Sequence, residues 1–292
     1  MTRFAGPFLA IDWGTTNRRV YRVEDGEVRA REGDARGVTA VAAGGFEAEV
    51  HAIRERMGDL PVLMAGMVGA NIGWRPAPYV PAPAGVEALV AKLLWVDERA
   101  AIVPGVAYQG EGRADVMRGE EVQLFGAVAA GLAPADGLIC HPGTHCKWVT
   151  MEQGRIARFT TAMTGELFAL LRAHGVLAAQ LGGETTVGDA FLSGVEEGRR
   201  RDLTASLFGI RAAKLLGLRD DADAASFASG LLIGADVAAR LDEHDGAITV
   251  VGDPKLAPLY AAALSAHGRQ ARIVDGEAAF LAGITQLAGL IA

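Results

Sequence analysis

The sequence lacks the features that mark membrane, secreted and nucleic-acid-binding proteins. No apolar run reaches the ~18 residues that a membrane-spanning helix needs, and the most hydrophobic stretch, Phe227 to Leu241, is interrupted by Asp236. The N-terminus shows no signal-peptide pattern, and two cysteines, Cys140 and Cys146, are too few for a disulfide framework. A net charge of −7 without a basic cluster argues against nucleic-acid binding. We therefore expect a cytoplasmic protein with no membrane or nucleic-acid partner.

Several common catalytic motifs are also missing. The chain contains no G-x-x-x-x-G-K-[S/T] loop, no G-x-S-x-G elbow and no H-E-x-x-H helix. Gly110-Glu111-Gly112 is followed by charged residues rather than by a helix, so it is not a dinucleotide-binding fingerprint. The chain therefore has no P-loop, no nucleophile elbow, no dinucleotide-binding fingerprint and no H-E-x-x-H zinc motif.

What is present is a glycine-rich α/β pattern that occurs twice. The chain has 292 residues, 50% of them hydrophobic, and 38 glycines. Two runs of three predicted strands each contain a tight Gly-Thr turn between the first and second strand, and the turn glycines, Gly14 and Gly143, lie about 130 residues apart. The two runs cover 8–31 and 138–161. This duplication predicts two α/β units, each of which opens with a β-meander.

The segments after each meander are predicted to alternate between helices and strands. Apolar residues at Phe46, Val50, Ile53 and Met57 have helical spacing. We expect helices over 46–57, 86–96, 120–130, 166–174, 189–200, 227–241, 254–266 and 278–291, and further strands over 61–64, 248–251 and 271–274. The boundary between the units is soft and falls near 134–136.

The first Gly-Thr turn follows an aspartate at the end of a predicted buried strand. A carboxylate such as Asp12 is costly to bury unless something pairs with it, and a divalent cation would do so. Gly14 allows close backbone approach, while Thr15 and Thr16 offer hydroxyls and N–H groups that can surround phosphate oxygens. A plain polar hairpin turn is the alternative interpretation.

The second turn has the same form with added positive charge. Lys147 could reach a phosphate as a point charge, and Thr144 could donate a hydroxyl hydrogen bond. A zinc site is the alternative, because two cysteines and two histidines (Cys140, His141, His145 and Cys146) lie within this segment. Their spacing fits no usual zinc pattern, so we expect buried, inert cysteines.

Two adjacent acids, Glu120 and Glu121, begin a predicted helix. Acids at a helix start are often only favourable partners of the helix dipole. The functional alternative is a general base that takes the proton of a sugar hydroxyl while phosphorus is attacked. Arg118, just before them, could pair with a substrate carboxylate. Which of the two glutamates acts stays open at this point.

Two further segments are candidates for ligand binding. The loop after the strand at 61–64 combines glycines with polar and aromatic residues, which suits a small polar ligand. Its candidate residues are Met67, Asn71, Trp74 and Arg75. Gly252 ends a buried strand just before a helix, and with Gly230 and Gly234 it is predicted to lie under an adenosine. The alternatives are an irregular loop for the first segment and an ordinary strand–helix joint for the second.

Taken together, these motifs resemble the 2-dehydro-3-deoxygalactonokinase family of the acetate kinase, sugar kinase, Hsp70 and actin superfamily. The resemblance is collinear over essentially the whole chain. It is carried by Ile11–Asn17, Met64–Asn71, Val116–Glu121, Pro142–Val149, Met163–Leu167 and Ser229–Ala235. It implies two ribonuclease H-like domains with duplicated mixed sheets and an ATP cleft between them. It also implies ATP-dependent phosphorylation of 2-dehydro-3-deoxy-D-galactonate at its 6-hydroxyl, with Mg²⁺, in galactonate catabolism.

The resemblance also implies roles for individual residues. Asp12 matches the superfamily's metal-organising aspartate, and Glu120 or Glu121 occupies the place of the base. The phosphate-binding residues are Gly14, Thr15, Thr16, Gly143, Thr144 and Lys147. The substrate-binding residues are Asn17, Arg18, Met67, Asn71, Trp74, Arg75 and Arg118, and the adenosine-binding residues are Gly230, Gly234 and Gly252.

The implied domains are 1–135, with the first phosphate loop, and 136–292, on the nucleotide side, with the last helix packing back on the first domain. The alternatives are an actin-like or chaperone-like ATP-binding module, and a kinase for a different sugar acid or an amino sugar. The sequence leaves open which epimer of the sugar acid is preferred and whether the chain forms a homodimer.

Overall fold

The computed structural model describes residues 4–110, 112–241 and 245–291, which form three β-sheets flanked by helices. The strands are β1 (Phe8–Trp13), β2 (Arg18–Glu24), β3 (Glu27–Asp34), β4 (Val62–Gly66), β5 (Tyr79–Pro81), β6 (Leu94–Asp97), β7 (Ala100–Ile102), β8 (Gly105–Gly110), β9 (Arg113–Met117), β10 (Gly137–His141), β11 (Cys146–Glu152), β12 (Arg155–Ala162), β13 (Ile248–Gly252) and β14 (Ala271–Asp275). The helices are α1 (Phe46–Met57), α2 (Val86–Val90), α3 (Glu120–Ala129), α4 (Thr164–Ala173), α5 (Asp189–Gly198), α6 (Leu203–Leu215), α7 (Asp221–Ala238), α8 (Ala257–Ala266) and α9 (Gly276–Leu290).

The two larger sheets share one topology. The six-stranded sheet has the order β3-β2-β1-β4-β7-β6, and the five-stranded sheet has the order β12-β11-β10-β13-β14. In the first, β1 is antiparallel to β2 and parallel to β4. In the second, β10 is parallel to β13. Each sheet therefore pairs the first strand of a meander in parallel with a later strand, which confirms the duplicated mixed sheets predicted from the two Gly-Thr turns.

The chain divides into two compact units. Unit 1 takes the described residues of 1–136, 151–158 and 276–292, and unit 2 takes 137–150 and 159–275. The last helix, α9, thus belongs to unit 1, where it packs against α3. The two ribonuclease H-like domains expected from the sequence, 1–135 and 136–292, stay a prediction.

The core of unit 1 follows from the periodicity of α1. Phe46, Val50, Ile53 and Met57 are buried, and they pack with apolar residues of β1 such as Ile11 in one cluster. Positions separated by three or four residues share one face of a helix, so this spacing gives α1 a continuous apolar face. Each large apolar side chain that is fully buried contributes about 1.5–3 kcal/mol to the free energy of folding, compared with the same side chain exposed to water. The helix predicted at 46–57 is confirmed.

Glycines allow two pairs of helices to approach closely. In unit 1, a Cβ atom at Gly126 of α3 or at Gly283 of α9 would overlap the backbone of the other helix. In unit 2, Gly194 of α5 meets α7, and Gly230 and Gly234 of α7 meet α5 in the same way. Small residues four apart on one helix face make such a close contact possible. These five glycines, out of 38 in the sequence, therefore serve helix packing.

The fold departs from the predicted elements between residues 79 and 117. The helix predicted over 86–96 ends at Val90, because Leu94 and Trp95 pair with β7 as strand β6. Strand pairing with a neighbour outweighs local helix propensity here. The small sheet β5-β8-β9 was not predicted, and neither was α6 in unit 2. Within the described residues, no helix is long and apolar enough to cross a bilayer.

Candidate active site

The first Gly-Thr turn joins β1 and β2 and is hydrogen-bonded to a separate segment, residues 37–39. The N–H group of Gly14 donates to the carbonyl of Asn17 at 2.9 Å, which closes the turn. Gly37 donates to the Thr16 carbonyl at 3.0 Å, and the hydroxyl of Thr39 donates to the Thr15 carbonyl at 2.8 Å. These bonds direct the turn's carbonyl groups toward 37–39. The side chains of Thr15, Thr16 and Asn17 are exposed.

Sequence reasoning missed Gly37 and Thr39 as supports of this turn. A Cβ atom at Gly37 would overlap the backbone of Thr15, so only glycine fits there. The supporting segment begins at Gly37, well beyond the end of the turn at Asn17, and only its short Gly-Val-Thr run at 37–39 could have signalled it. The local pattern carries no information about this long-range pairing.

Asp12 lies just before this turn, near the end of β1. Its carboxylate is half-buried and lies 3.5 Å from the guanidinium of Arg19 on the neighbouring strand. Burial raises the pKa of Asp12, the charge of Arg19 lowers it, and the charge of Glu120 raises it again. The coupling to Glu120 places the acidic start of α3 close to Asp12 within unit 1.

Two glycines with positive φ bring these segments together. Gly66, at the end of β4, has a φ of 95°, and a Cβ atom there would lie 2.8 Å from the Trp13 carbonyl oxygen. Gly119, just before α3, has a φ of 106°, and its Cβ atom would lie 3.0 Å from Cα of Gly66. L-residues with side chains rarely adopt such backbone angles. The ends of β1 and β4 and the start of α3 therefore meet only because both positions are glycine.

The two acids at the start of α3 lie in different environments. Glu121 is fully buried, and both of its carboxylate oxygens accept from the Gly119 N–H, at 2.8 and 2.7 Å. Burial, together with the charge of Glu120, raises the pKa of Glu121 to about 8. Glu120 is only partly buried, and its Oε2 accepts from the backbone N–H of Arg118 at 3.0 Å. Glu121 is therefore neutral near pH 7 and closed to a ligand, whereas Glu120 is open to one.

Arg118 is held in place by the small sheet and the segment before it. Its Nη2 donates to the carbonyl of Ala77 at 2.8 Å, and its guanidinium lies 4.4 Å from the centre of the Tyr79 ring. Its Nε and Nη1 are buried and have no hydrogen-bond partner within the described residues. A guanidinium fixed in this way is pre-organised for a carboxylate, which its planar fork can bind through two hydrogen bonds.

The loop that begins at Gly66 places the other predicted substrate residues. Asn71 and Arg75 are exposed, and Met67 is half-buried in a short 3₁₀ helix, Met67–Gly69. Trp74 is half-buried and stacks on Phe46 of α1, with the ring centres 6.4 Å apart. Trp74 thus contributes one face to the core of unit 1, so its position is fixed by α1 as well as by the loop.

Arg18, predicted to contact substrate, is buried and paired with two carboxylates, and its substrate role stays a prediction. Its side chain is 2% exposed, and its guanidinium forms ion pairs with Asp34 at 2.6 Å and Glu49 at 2.8 Å. It also lies over the ring of Trp13. The hydrogen bond from Arg18 lowers the pKa of Asp34, and hydrogen bonds from Arg36 and then Arg18 lower the pKa of Glu49. The sequence could not reveal these partners, because they lie 16 and 31 residues away.

The second Gly-Thr turn lies between β10 and β11 in unit 2. The start of α4 packs directly on it, because the N–H group of Glu166 donates to the Thr144 carbonyl at 2.8 Å and a Cβ atom at Gly165 would overlap Gly143. The imidazole of His145 pairs with the Glu166 carboxylate. The side chain of Thr144 is exposed, so its hydroxyl can reach a ligand. Sequence reasoning missed the role of Gly165.

Lys147 and the cysteines lie behind this turn. Lys147 is 5% exposed, and its ammonium donates to the Thr161 hydroxyl at 2.8 Å, so its phosphate role stays a prediction. Cys140 and Cys146 are buried with their sulfur atoms 3.6 Å apart, and burial raises the pKa of both thiols. In the part of the chain that the structure describes, no group of three His, Cys, Asp or Glu side chains could hold a metal ion.

A small pocket opens beside the second turn. It is lined by Gly143, Thr164, Gly165, Phe168, Ser229, Leu232, Ile233, Leu256 and Tyr260, all in unit 2. Gly252 ends β13 next to this turn, since a Cβ atom there would lie 3.4 Å from Pro142. Gly230 and Gly234 point toward α5, so helix packing explains their small size, and a contact of either with adenosine stays a prediction. Their neighbours Ser229 and Ile233 line the pocket in their place.

The duplicated mixed sheets and the paired Gly-Thr turns define the class of protein. The fold is that of the acetate kinase, sugar kinase, Hsp70 and actin superfamily. A solved structure at 12% identity, component A of (R)-2-hydroxyglutaryl-CoA dehydratase from Acidaminococcus fermentans, shares this fold with a TM-score of 0.54 over 98% of both chains.

Comparison with known proteins assigns the family. Residues 12–287 match the family model of 2-keto-3-deoxy-galactonokinase. The chain is 40% identical to 2-dehydro-3-deoxygalactonokinase of Escherichia coli strain K12, over 98% of both chains. A crystal structure from Sinorhizobium meliloti, whose description also names 2-dehydro-3-deoxygalactonokinase, has a TM-score of 0.90 and 34% identity, covering 96% of this chain and 98% of that one. The chain belongs to the 2-keto-3-deoxy-galactonokinase family, a family of sugar-acid kinases.

Proposed function

We propose that this chain phosphorylates the 6-hydroxyl group of 2-dehydro-3-deoxy-D-galactonate with ATP, in galactonate catabolism in the cytoplasm. The observation that carries the proposal is the family match over residues 12–287, which includes both Gly-Thr turns and the acidic start of α3. A purely conformational ATP-binding module of the actin or chaperone type is not favoured by this match.

Glu120 is the general base in this proposal. It is the more open of the two acids and is electrostatically coupled to Asp12, whereas Glu121 is buried and neutral near pH 7. The 6-hydroxyl loses its proton to the Glu120 carboxylate while its oxygen attacks the γ-phosphorus. The bond from that phosphorus to the β-phosphate oxygen breaks, and ADP leaves. Positioning and charge stabilisation supply the rest of the rate enhancement.

Asp12 is proposed to hold the metal. Proteins usually bind Mg²⁺ through one or two carboxylates, with water and substrate phosphates completing the shell, so a single half-buried aspartate fits this ion. When bound, Mg²⁺ supplies positive charge that neutralises the β- and γ-phosphates. The charge of Glu120 raises the pKa of Asp12, and a cation beside both acids would reverse that effect.

The phosphates of ATP are assigned to the two turns. Thr15 and Thr16 are exposed beside the partly buried Gly14 in unit 1, and Thr144 is exposed beside the partly buried Gly143 in unit 2, so their hydroxyl groups are open to a ligand. The adenosine is assigned to the pocket beside the second turn and to Gly252. Successive backbone N–H groups in such turns favour anions.

The sugar acid is assigned to unit 1. Its carboxylate is assigned to Arg118, since this side chain is only partly buried and Ala77 and Tyr79 hold its guanidinium in place. The hydroxyl groups of the sugar acid are assigned to Asn17, Asn71, Arg75 and the adjoining Met67 and Trp74. A net negative protein that binds two anions needs such local positive charge.

An ADP-release assay tests this proposal. The substrates are 2-dehydro-3-deoxy-D-galactonate, its gluconate-derived epimer, a neutral hexose and N-acetylglucosamine, each with and without Mg²⁺. We expect turnover with a sugar acid only, and only with the metal. Glu120→Gln is the matched control for contaminating kinase activity. Turnover restricted to the hexose or the amino sugar, or ATP hydrolysis that no sugar accelerates, would refute the proposed function.

A further inference from the structure

A buried carboxylate in unit 2 has no role in the chemistry described so far. Asp236 lies on α7 and is 8% exposed. It interrupts the most hydrophobic stretch of the sequence, and a carboxylate at such a position is costly unless it is fully hydrogen-bonded. Its partners therefore account for its presence.

Three different elements donate hydrogen bonds to this one carboxylate. Trp148 Nε1 of β11 donates to Oδ1 at 3.0 Å. The Thr164 hydroxyl, at the first residue of α4, donates to Oδ2 at 2.9 Å, and the Tyr260 hydroxyl of α8 donates to the same oxygen at 3.3 Å. Asp236 thus connects α7 to a strand and two helices.

Two of these donors belong to the pocket beside the second Gly-Thr turn. Thr164 and Tyr260 both line it, together with Gly143 of the turn itself. The residues after Thr164 contact the turn directly, because Gly165 leaves no room for a side chain and the Glu166 N–H donates to the Thr144 carbonyl. A displacement of the start of α4 would therefore move both the pocket wall and the turn.

We propose that Asp236 is a positioning residue for nucleotide binding, which acts through Thr164 and Tyr260 on the pocket and on the Gly143–Thr144 turn. The inference rests on the proposed function, since it takes the ligand of this pocket to be the adenine nucleotide. Asp236 does not touch the ligand. Its contribution is to hold the donors and the start of α4 in the geometry that the nucleotide needs.

The test compares nucleotide affinity among four variants of the full chain. Asp236→Asn replaces one acceptor by a donor, and Thr164→Val removes the hydroxyl at nearly constant shape, whereas Thr164→Ser retains it. Tyr260→Phe removes the weaker bond to the same oxygen. The dissociation constant for ADP is measured by calorimetry without any sugar acid, and circular dichroism and thermal unfolding report whether each variant is folded.

We expect Asp236→Asn and Thr164→Val each to weaken ADP binding by about tenfold, and Thr164→Ser to restore most of the affinity. The double variant Asp236→Asn, Thr164→Val should lose less affinity than the sum of the two single losses, because both substitutions alter the Thr164–Asp236 bond. In the kinase assay, KM for ATP should rise while KM for the sugar acid does not. If Asp236→Asn does not fold, Trp148→Phe, which removes a bond to Asp236 from outside the pocket lining, decides the question together with the two Thr164 variants.

Folded Asp236→Asn or Thr164→Val with wild-type affinity for ADP would overturn the inference, even if its thermal stability falls. Wild-type protein that binds ADP but phosphorylates no sugar acid would refute the proposed function and leave this test valid. Wild-type protein that binds no adenine nucleotide would overturn both.

Discussion

The buried carboxyl of Glu121 should make the stability of this protein fall as pH rises. In the folded state, burial and the charge of Glu120 raise its pKa from 4.5 to about 8. Between these two values the folded chain retains the proton and the unfolded chain has lost it. Unfolding therefore releases a proton, and a rise in pH favours the unfolded state.

The size of the effect follows from the shift. Over the pH range in which only the folded state is protonated, the free energy of unfolding falls by about 1.4 kcal/mol per pH unit. From pH 5 to pH 8 the loss due to Glu121 amounts to about 4 kcal/mol, and above pH 8 it levels off. Because Glu121 is fully buried, solvent does not screen the interaction.

Substitution by glutamine isolates this contribution. In Glu121→Gln the side chain is neutral at every pH, and its amide oxygen can still accept from the Gly119 N–H group. Other titrating groups, such as Asp12 and Asp34, contribute equally to both proteins and cancel in the difference. The wild type should be similar to the variant in stability near pH 5 and less stable by about 4 kcal/mol near pH 8.

Urea titrations at pH 5, 6, 7 and 8 measure this difference directly. The matched control is Glu47→Gln, which makes the same change in the first turn of α1 at an exposed position. The control should show a difference that does not vary with pH. A difference between wild type and Glu121→Gln that stays constant from pH 5 to pH 8 would show that Glu121 is ionised in the folded protein, and the assignment of the base to Glu120 would lose its main support.

Three further outcomes are expected. Glu120→Gln should lower kcat by ~10²–10⁴ with little change in ADP affinity, and full kcat would exclude Glu120 as the base. Arg118→Ala should raise KM for the sugar acid by about tenfold, because a charged hydrogen bond is lost. An unchanged KM would show that Arg118 does not bind the carboxylate of the sugar acid. Gly283→Ala should destabilise the fold by about 3 kcal/mol or more, since the new Cβ overlaps the carbonyl of Val122. Gly289→Ala, on the same helix with open space around it, should stabilise slightly in thermal unfolding; equal effects of the two would contradict the packing argument.

Local patterns predicted the parts of this fold that depend on neighbours in the chain. The meanders followed from strand patterns and tight turns, and α1 followed from the spacing of Phe46, Val50, Ile53 and Met57. The helix predicted at 86–96 failed beyond Val90, because β7 pairs with its second half. Pairing between strands depends on a partner that no short window of sequence contains.

For the candidate site, the sequence by itself determined which residue types occur together: an aspartate before the first of the two Gly-Thr turns, two glutamates shortly after Arg118, and glycines where strands meet turns and helices. Only the tertiary structure distinguished Glu120 from Glu121, since both have the same charge and adjacent positions but only one is sealed from solvent. Likewise, only the tertiary structure revealed the ion pairs of Arg18 with Asp34 and Glu49. Burial and long-range pairing decide the protonation and availability of a side chain, and both are properties of the folded chain rather than of its local sequence.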